Sequence, residues 1–185
     1  DGIRDYKVTG VQTCALPICS VAGGHGSNYI HRLRTGNQLE VEGPFGDFVL
    51  QENSKKQILM IATGTGMAPI KSMLMHLLDK KSSRKVRLFF GNRHETDLFY
   101  TDLFRGLKAN YPEFEYDMIL SSPNPNKWSG YIGRVTDLIE QKISDKDSEN
   151  TEVYLCGGRK MIEDCKQILE EKKFPDASIH FENFF

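Results

Sequence analysis

The sequence predicts an α/β fold built around a parallel β-sheet. Three features carry that reading: short runs of branched and aromatic residues recur at about 30-residue intervals, apolar stripes of helical period fill the gaps, and small residues follow one run after another. The runs fall at 58–62, 86–90, 116–120, 153–156 and 178–181. Strand and helix alternating in this way imply a parallel sheet covered on both faces.

The elements follow in chain order. Gln38 to Glu42 alternates polar and apolar residues, Gly43-Pro44-Phe45-Gly46 is turn chemistry, and 47–50 suits a second strand, so residues 20–50 are expected to be the end of an antiparallel β-domain. The polar run 51–56 is expected to link it to the α/β part. Pro69 suits the first turn of a helix reaching about residue 79, and Thr96 suits the N-cap of a helix over 97–109. Val135, Leu138, Ile139 and Ile143 share one helical face, as do Met161, Ile162, Cys165, Ile168 and Leu169. Residues 1–18 keep no helical or strand period and resemble translated readthrough of a sequencing-library adapter; they are expected to be foreign to the fold, with the gene's true upstream region missing.

Composition excludes several classes. With 39% hydrophobic and 26% charged residues in 185, the chain is neither disordered nor collagen-like. Its 24 Lys and Arg against 25 Asp and Glu, and its pI near 6.6, argue against a general nucleic-acid binder, which needs surplus positive charge. No apolar stretch approaches a membrane span, and the four Cys form no metal-like pair, so a cytoplasmic protein with reduced thiols and no metal site is expected.

In a parallel sheet, ligands gather at the carboxyl ends of the strands. The first such end carries Thr63-Gly64-Thr65-Gly66-Met67-Ala68-Pro69, where glycines let the backbone approach a phosphate and the next helix offers unpaired N–H groups. Pro69 stands where a dinucleotide fingerprint wants its third Gly, and no Gly-Lys-Ser/Thr follows, which disfavours a phosphotransferase loop. A tight turn without ligand explains this segment alone equally well. The second end is Gly91-Asn92-Arg93, the third Ser121-Ser122-Pro123 and the fourth Cys156-Gly157-Gly158-Arg159-Lys160-Met161. Four such ends favour a shared cleft.

GPFGDF, ATGTGMAP, FFGNRHETDLFY, LCGGRKM and the terminal HFENFF, in that order, resemble the ferredoxin–NADP reductase superfamily of FAD-dependent NAD(P)H reductases. The resemblance implies a five-stranded, Rossmann-like NAD(P)-binding domain over 57–185, preceded over 19–50 by the remnant of an antiparallel FAD-binding β-barrel. Gly24-His25-Gly26-Ser27 is similar to the motif that holds the FAD pyrophosphate, although His25 also suits a solvated loop. The superfamily's first flavin motif, Arg-x-Tyr-Ser, is missing from the chain. Thr63, Gly64, Thr65, Gly66 and Pro69 resemble the pyridine-nucleotide pyrophosphate loop, and Gly91, Asn92, Arg93 and Ser121 the adenosine side.

Cys156 matches the position beside the nicotinamide, with Gly157, Gly158 and Met161 completing that loop; a buried thiol at a strand end is the plainer alternative. Gly158-Arg159-Lys160 departs from the Pro or Asn-Pro often found there. Glu182 and Phe184 match an acidic and aromatic C-terminal end whose ring covers the flavin, while an aromatic end also suits core filling or an exposed tail. The implied activity is hydride transfer from a nicotinamide to FAD, then electron transfer to a ferredoxin, an oxygenase component or another acceptor. NADH is expected over NADPH because the loop 121–126 has no cation before Lys127; Arg93 and Lys127 are the residues that bear on NADPH. A nucleotide-binding subunit without turnover of its own is the alternative from another class.

Overall fold

Six strands form one sheet in the order β4-β3-β2-β1-β5-β6, and every pairing is parallel. The structure, a computed structural model, describes Ser20, residues 22–40, Glu42 and residues 45–184. Residues 1–18, Cys19 and Phe185 lie outside the described residues.

The strands are β1 Gln57–Thr63, β2 Val86–Asn92, β3 Phe114–Leu120, β4 Tyr131–Ile132, β5 Thr151–Gly158 and β6 Ile179–Phe184. Four of them contain expected runs, and β6 begins one residue into the fifth, because Ser178 closes a 3₁₀ turn, Asp176–Ser178. The sixth, β4, has two residues and extends the sheet edge through the Gly133 N–H, which donates to the Leu120 carbonyl (2.9 Å). Two residues carry no period, so this strand has no sequence signal.

Helix α1, His25–Arg32, precedes the sheet, and α2 Met67–Asp79, α3 Thr101–Asn110, α4 Val135–Lys142 and α5 Arg159–Glu171 connect it. Alternate residues of each strand face opposite layers. Met60, Ala62, Leu88, Phe90, Tyr154 and Cys156 pack with Ile70, Leu74 and Phe104 of α2 and α3. Leu59, Ile61, Phe89, Val153 and Leu155 pack with Leu138, Ile139, Ile162 and Cys165 of α4 and α5. Both faces of the sheet are buried, which explains why central strands such as 58–62 are apolar throughout.

Two expectations need correction. Among the described residues neither 38–42 nor 47–50 forms a strand. An alternating segment becomes a strand only beside a partner ladder, and no described segment pairs with either one. Thr96 does not cap α3. It lies in a separate 3₁₀ turn, Glu95–Asp97, closed by the His94 N–H donating to Asp97 Oδ2 (2.9 Å), and α3 begins only after Tyr100.

The segment 51–56 is pinned to the sheet. The Gln51 N–H donates to the Tyr154 hydroxyl (2.9 Å) and Ser54 Oγ to Glu152 Oε1 (3.0 Å), while Arg84 donates to the carbonyls of Lys56 (2.6 Å) and Gln51 (3.1 Å). No helix among the described residues is long and apolar enough to cross a membrane, and no group of three His, Cys, Asp or Glu among them is placed to hold a metal ion.

Phe104 is fully buried among Phe90, Tyr100, Phe114 and Tyr116. Phe104→Ala is expected to cost about 3–5 kcal/mol of stability, read from guanidinium denaturation; a loss under about 1 kcal/mol would mean that this layer is not packed as described.

Candidate functional site

The strand order reverses at β1. The chain steps from β1 through β2 and β3 to β4 on one side, then returns to place β5 and β6 on the other. The register brings the carboxyl ends level: Thr63 pairs with Gly91, Ala62 with Cys156, and Cys156 with Glu182.

Glycines make this convergence possible. Gly64 holds φ +53°, the left-handed region that glycine enters without penalty, and so turns the chain sharply out of β1. A Cβ on Gly66 would lie 2.2 Å from the Cys156 carbonyl oxygen, so the start of α2 packs directly on the end of β5. At Gly91 it would lie 2.7 Å from Val135 Cγ1 and 3.2 Å from Thr63 Cγ2, and at Gly157 it would lie 2.2 Å from Thr63 Oγ1. The loop ends of β1, β2 and β5 therefore form one packed cluster.

Above it opens a cleft of about 660 Å³. Seven expected residues line it: Thr63, Gly64, Gly91, Asn92, Arg93, Ser121 and Met161. Thr65, Gly66, Pro69, Cys156, Gly157 and Gly158 do not line it. Of these, Gly66 and Gly157 serve as close packing contacts, and Pro69 borders a separate groove with Phe48, Val49 and His76. The sequence reading gave no site role to Thr96, Asp97 and Phe99 after β2, to Gly133 to Thr136 at the start of α4, or to Asp164 on α5, while Lys160 falls in the fourth strand end it singled out. The Gly133-Arg134-Val135 step into an apolar helix was the available signal for the second group.

The starts of α4 and α5 border this cleft; at α4 the Arg134 N–H already donates to Asp137 Oδ2 (2.8 Å), while at α5 the N-cap Gly158 makes no side-chain capping bond and leaves the positive helix end to an anion. Arg93, Arg134 and Lys160 add positive charge, partly offset because Lys160 donates to Asp164 (2.6 Å). The loops after β2 and β3 are stapled together: Ser121 N–H donates to Asn92 O (3.1 Å), Ser122 N–H to Arg93 O (2.9 Å), His94 Nδ1–H to Ser122 O (2.6 Å) and Asn124 N–H to Glu95 Oε1 (2.6 Å). The Asn92 Nδ2 amide is buried and has no hydrogen-bond partner among the described residues. A buried, unpaired donor is unfavourable, so a ligand acceptor fits here.

Cys156 is fully buried on the α2 side, and its thiol is pushed up to about 12, first by burial and then by the Glu182 carboxylate. It is a neutral group rather than a nucleophile. Phe184 ends β6 with its backbone beside Gly158; its side chain lies outside what the structure describes. Gly24 precedes α1, and His25, Gly26 and Ser27 form its first turn, with no side-chain capping bond at the helix start and no buried residue in the helix.

The chain matches the model for the oxidoreductase NAD-binding domain over residues 60–167. It is 33% identical to the phenol hydroxylase P5 protein of Acinetobacter pittii over 190 residues, covering 100% of this chain and 54% of that protein. It is 30% identical to the phenol 2-monooxygenase reductase component DmpP of Pseudomonas sp., again covering 100% of this chain and 54% of the relative. The chain thus spans about half the length of these relatives. Among solved structures it resembles the Amycolatopsis cytochrome P450 reductase GcoB, with TM-score 0.77 and 27% identity over 89% of this chain and 50% of that one.

Burial raises the Cys165 thiol to about 12 as well, so both thiols stay protonated in the fold where the unfolded chain ionises near 9.0. Their contribution is fully present below pH 9 and is lost as pH climbs toward 12. At pH 8.5, iodoacetamide is expected to leave Cys156 and Cys165 unmodified in the folded chain and to label both in urea, as read by peptide mass. Rapid labelling of folded Cys156 would contradict its burial.

Proposed function

We propose that this chain, which belongs to the oxidoreductase NAD-binding domain family, is the nicotinamide-nucleotide half of an FAD-dependent NAD(P)H reductase. The observation that carries the reading is the cleft at the strand-order reversal, where the ends of β1, β2 and β3 and the starts of α4 and α5 meet over the unpaired Asn92 amide. In this reading Thr63 to Gly66, with Thr65, the turn set by Gly64 and Pro69 in the first turn of α2, cradles the pyrophosphate. Gly91, Asn92, Arg93 and Ser121 hold the adenosine side. Gly157, Gly158 and Met161 border the nicotinamide, beside Cys156 and Glu182.

The protein's contribution is orientation and exclusion of water. The Cys156 thiol, neutral and fully buried, lies behind the cleft wall and so backs the nicotinamide side without adding charge. Bound FAD would accept the hydride and pass electrons on singly. For FAD itself the described residues supply only the exposed turn Gly24-His25-Gly26-Ser27, and α1 buries none of its residues. They do not make a complete flavin site, so no step is derived through it; the ring-covering role of Phe184 belongs to the whole protein.

The names of the relatives support an oxygenase component, or a ferredoxin or similar redox protein, as the electron acceptor. We place the protein in the cytoplasm, with Cys156 and Cys165 as reduced thiols. NADH is the favoured donor, because Glu95 lies on the same stapled loops as Arg93 and Lys127 and opposes a 2′-phosphate.

Calorimetric titration of the chain should show saturable NADH binding, tighter than NADPH. Gly91→Val should weaken it at least about tenfold, since its side chain would collide with Val135 and Thr63. Absence of NADH binding to the unmodified chain would refute the proposal. A protein extended with its upstream region should be yellow and bleach anaerobically with NADH; one that binds NADH yet stays colourless would instead favour a nucleotide-binding subunit without turnover.

A further inference from the structure

The end of the sheet opposite the nucleotide cleft gathers positive charge. Lys55 and Lys56 precede β1, Lys80 and Lys81 follow α2, and Arg84 and Lys85 precede β2. The two segments lie side by side: Arg84 Nε donates to the Lys56 carbonyl (2.6 Å), and the Ile58 N–H donates to the Lys85 carbonyl (2.8 Å). Lys55, Lys80, Lys81 and Lys85 are exposed. The carboxylates nearest in these segments and beside them are Glu52, Asp79 and Glu113, and Glu52 is taken up by His76 (2.8 Å). Toward β3, Glu115 is offset by Arg87 (3.0 Å), and Asp147 closes its own 3₁₀ turn by accepting from the Ser144 N–H (2.8 Å). The whole chain has a net charge of −1 at pH 7, so this end carries a positive surplus that the rest of the molecule cancels.

The cations stand on ordered backbone. The Lys81 and Ser82 N–H groups donate back to the Leu78 and Leu77 carbonyls (2.9 Å each), which closes the turn after α2 before any partner arrives. Beside this turn opens a cleft of about 170 Å³, bounded by Leu77 and Leu78 of α2, Tyr111 after α3 and Phe114 of β3, with Lys81 and Arg84 also in its lining. A cavity of about 150 Å³ admits a benzene ring, so this cleft has room for one aromatic or branched side chain.

A basic surface with an apolar component suits either an anionic membrane or an acidic protein segment, and the shape separates them. Membrane surfaces are held by apolar side chains that project among the cations. The large exposed apolar side chains of the described residues lie within residues 29–49, on β4 and on β6; none belongs to the two basic segments or lines this cleft. The apolar surface here is a recess, which receives a side chain rather than supplying one.

We propose that the amino end of the sheet docks an acidic segment of another protein: one apolar side chain of that segment enters the cleft between α2 and the end of α3, and flanking carboxylates meet Lys80, Lys81 and Lys85. Lys55 and Lys56 add to the attracting field. The nucleotide cleft stays open, because it lies at the opposite ends of the strands. Such a partner holds the protein in place and differs from the electron acceptor, which must approach the reacting ring at the carboxyl ends. The proposal goes beyond the nucleotide reading and stands without it.

The test is fluorescence anisotropy of the whole chain with a labelled peptide Glu-Glu-Glu-Phe-Glu-Glu-Glu and with its counterpart carrying Ala for Phe, alongside sedimentation with vesicles of phosphatidylserine and phosphatidylcholine. The Phe peptide should bind saturably, at least about fivefold tighter than the Ala peptide, and more weakly as salt is raised. The triple charge reversal Lys80→Glu, Lys81→Glu and Lys85→Glu should weaken it about tenfold or more while NADH affinity stays within about twofold. Ser82→Tyr, whose ring would occupy the cleft, should abolish the difference between the two peptides; if that variant does not fold, the charge reversal and the peptide pair decide the matter. Equal binding of the Phe and Ala peptides to the unmodified chain, or unchanged binding after charge reversal, overturns the proposal. Vesicle binding without peptide binding also overturns it and makes this end a membrane contact.

Discussion

The site depends on the packing of Gly66 against the Cys156 carbonyl. A backbone-to-backbone approach this close, with a Cβ position only 2.2 Å from the oxygen, joins the loop after β1 to the end of β5 at the point where the sheet reverses direction. Gly91 and Gly157 extend the same arrangement sideways, each excluding a side chain so that Thr63, Val135 and Met161 can close in. Larger residues at these positions would push the strand ends apart. The cleft is therefore a product of missing side chains, and its floor is rigid because it is made of main chain.

The chemistry differs between the two sides of that floor. Toward β2 and β3 the cleft has exposed cations, helix starts and an unpaired amide, all suited to the polar and anionic parts of a nucleotide. Toward β5 and β6 its wall is backed by the buried, neutral Cys156, whose thiol is pushed up to about 12 by burial and then by the Glu182 carboxylate. A ligand spanning both sides would keep its charge over one and place a reactive ring at the other. That division suits a donor of hydride, whose reacting end needs orientation and dryness more than acid or base.

Much of this was legible in the residues themselves. The five apolar runs at βαβ spacing became β1, β2, β3, β5 and β6, because buried parallel strands leave a continuous apolar signature. The glycine-rich strand ends likewise marked the floor of the cleft. What stayed hidden has physical causes. Tyr131 and Ile132 form a strand through tertiary pairing to β3, which no local pattern records. Thr96 has good capping chemistry, yet Asp97 closes a 3₁₀ turn there and Tyr100 starts the helix from a left-handed conformation. The segments 38–42 and 47–50 have strand-like composition without a described partner. Phe99 falls within the helix expected over 97–109, and only the fold shows it at the cleft edge.

The central claim is that segments far apart in sequence bind one pyridine nucleotide together. Amide chemical-shift mapping by ¹H–¹⁵N NMR during an NADH titration tests it most directly. The account predicts that amides of Thr63 to Gly66, Gly91 to Arg93, Ser121 and Gly157 to Met161 move along a single saturation curve. Shifts confined to the amino ends of the strands, around Gln57, Lys85 and Glu113, would contradict it.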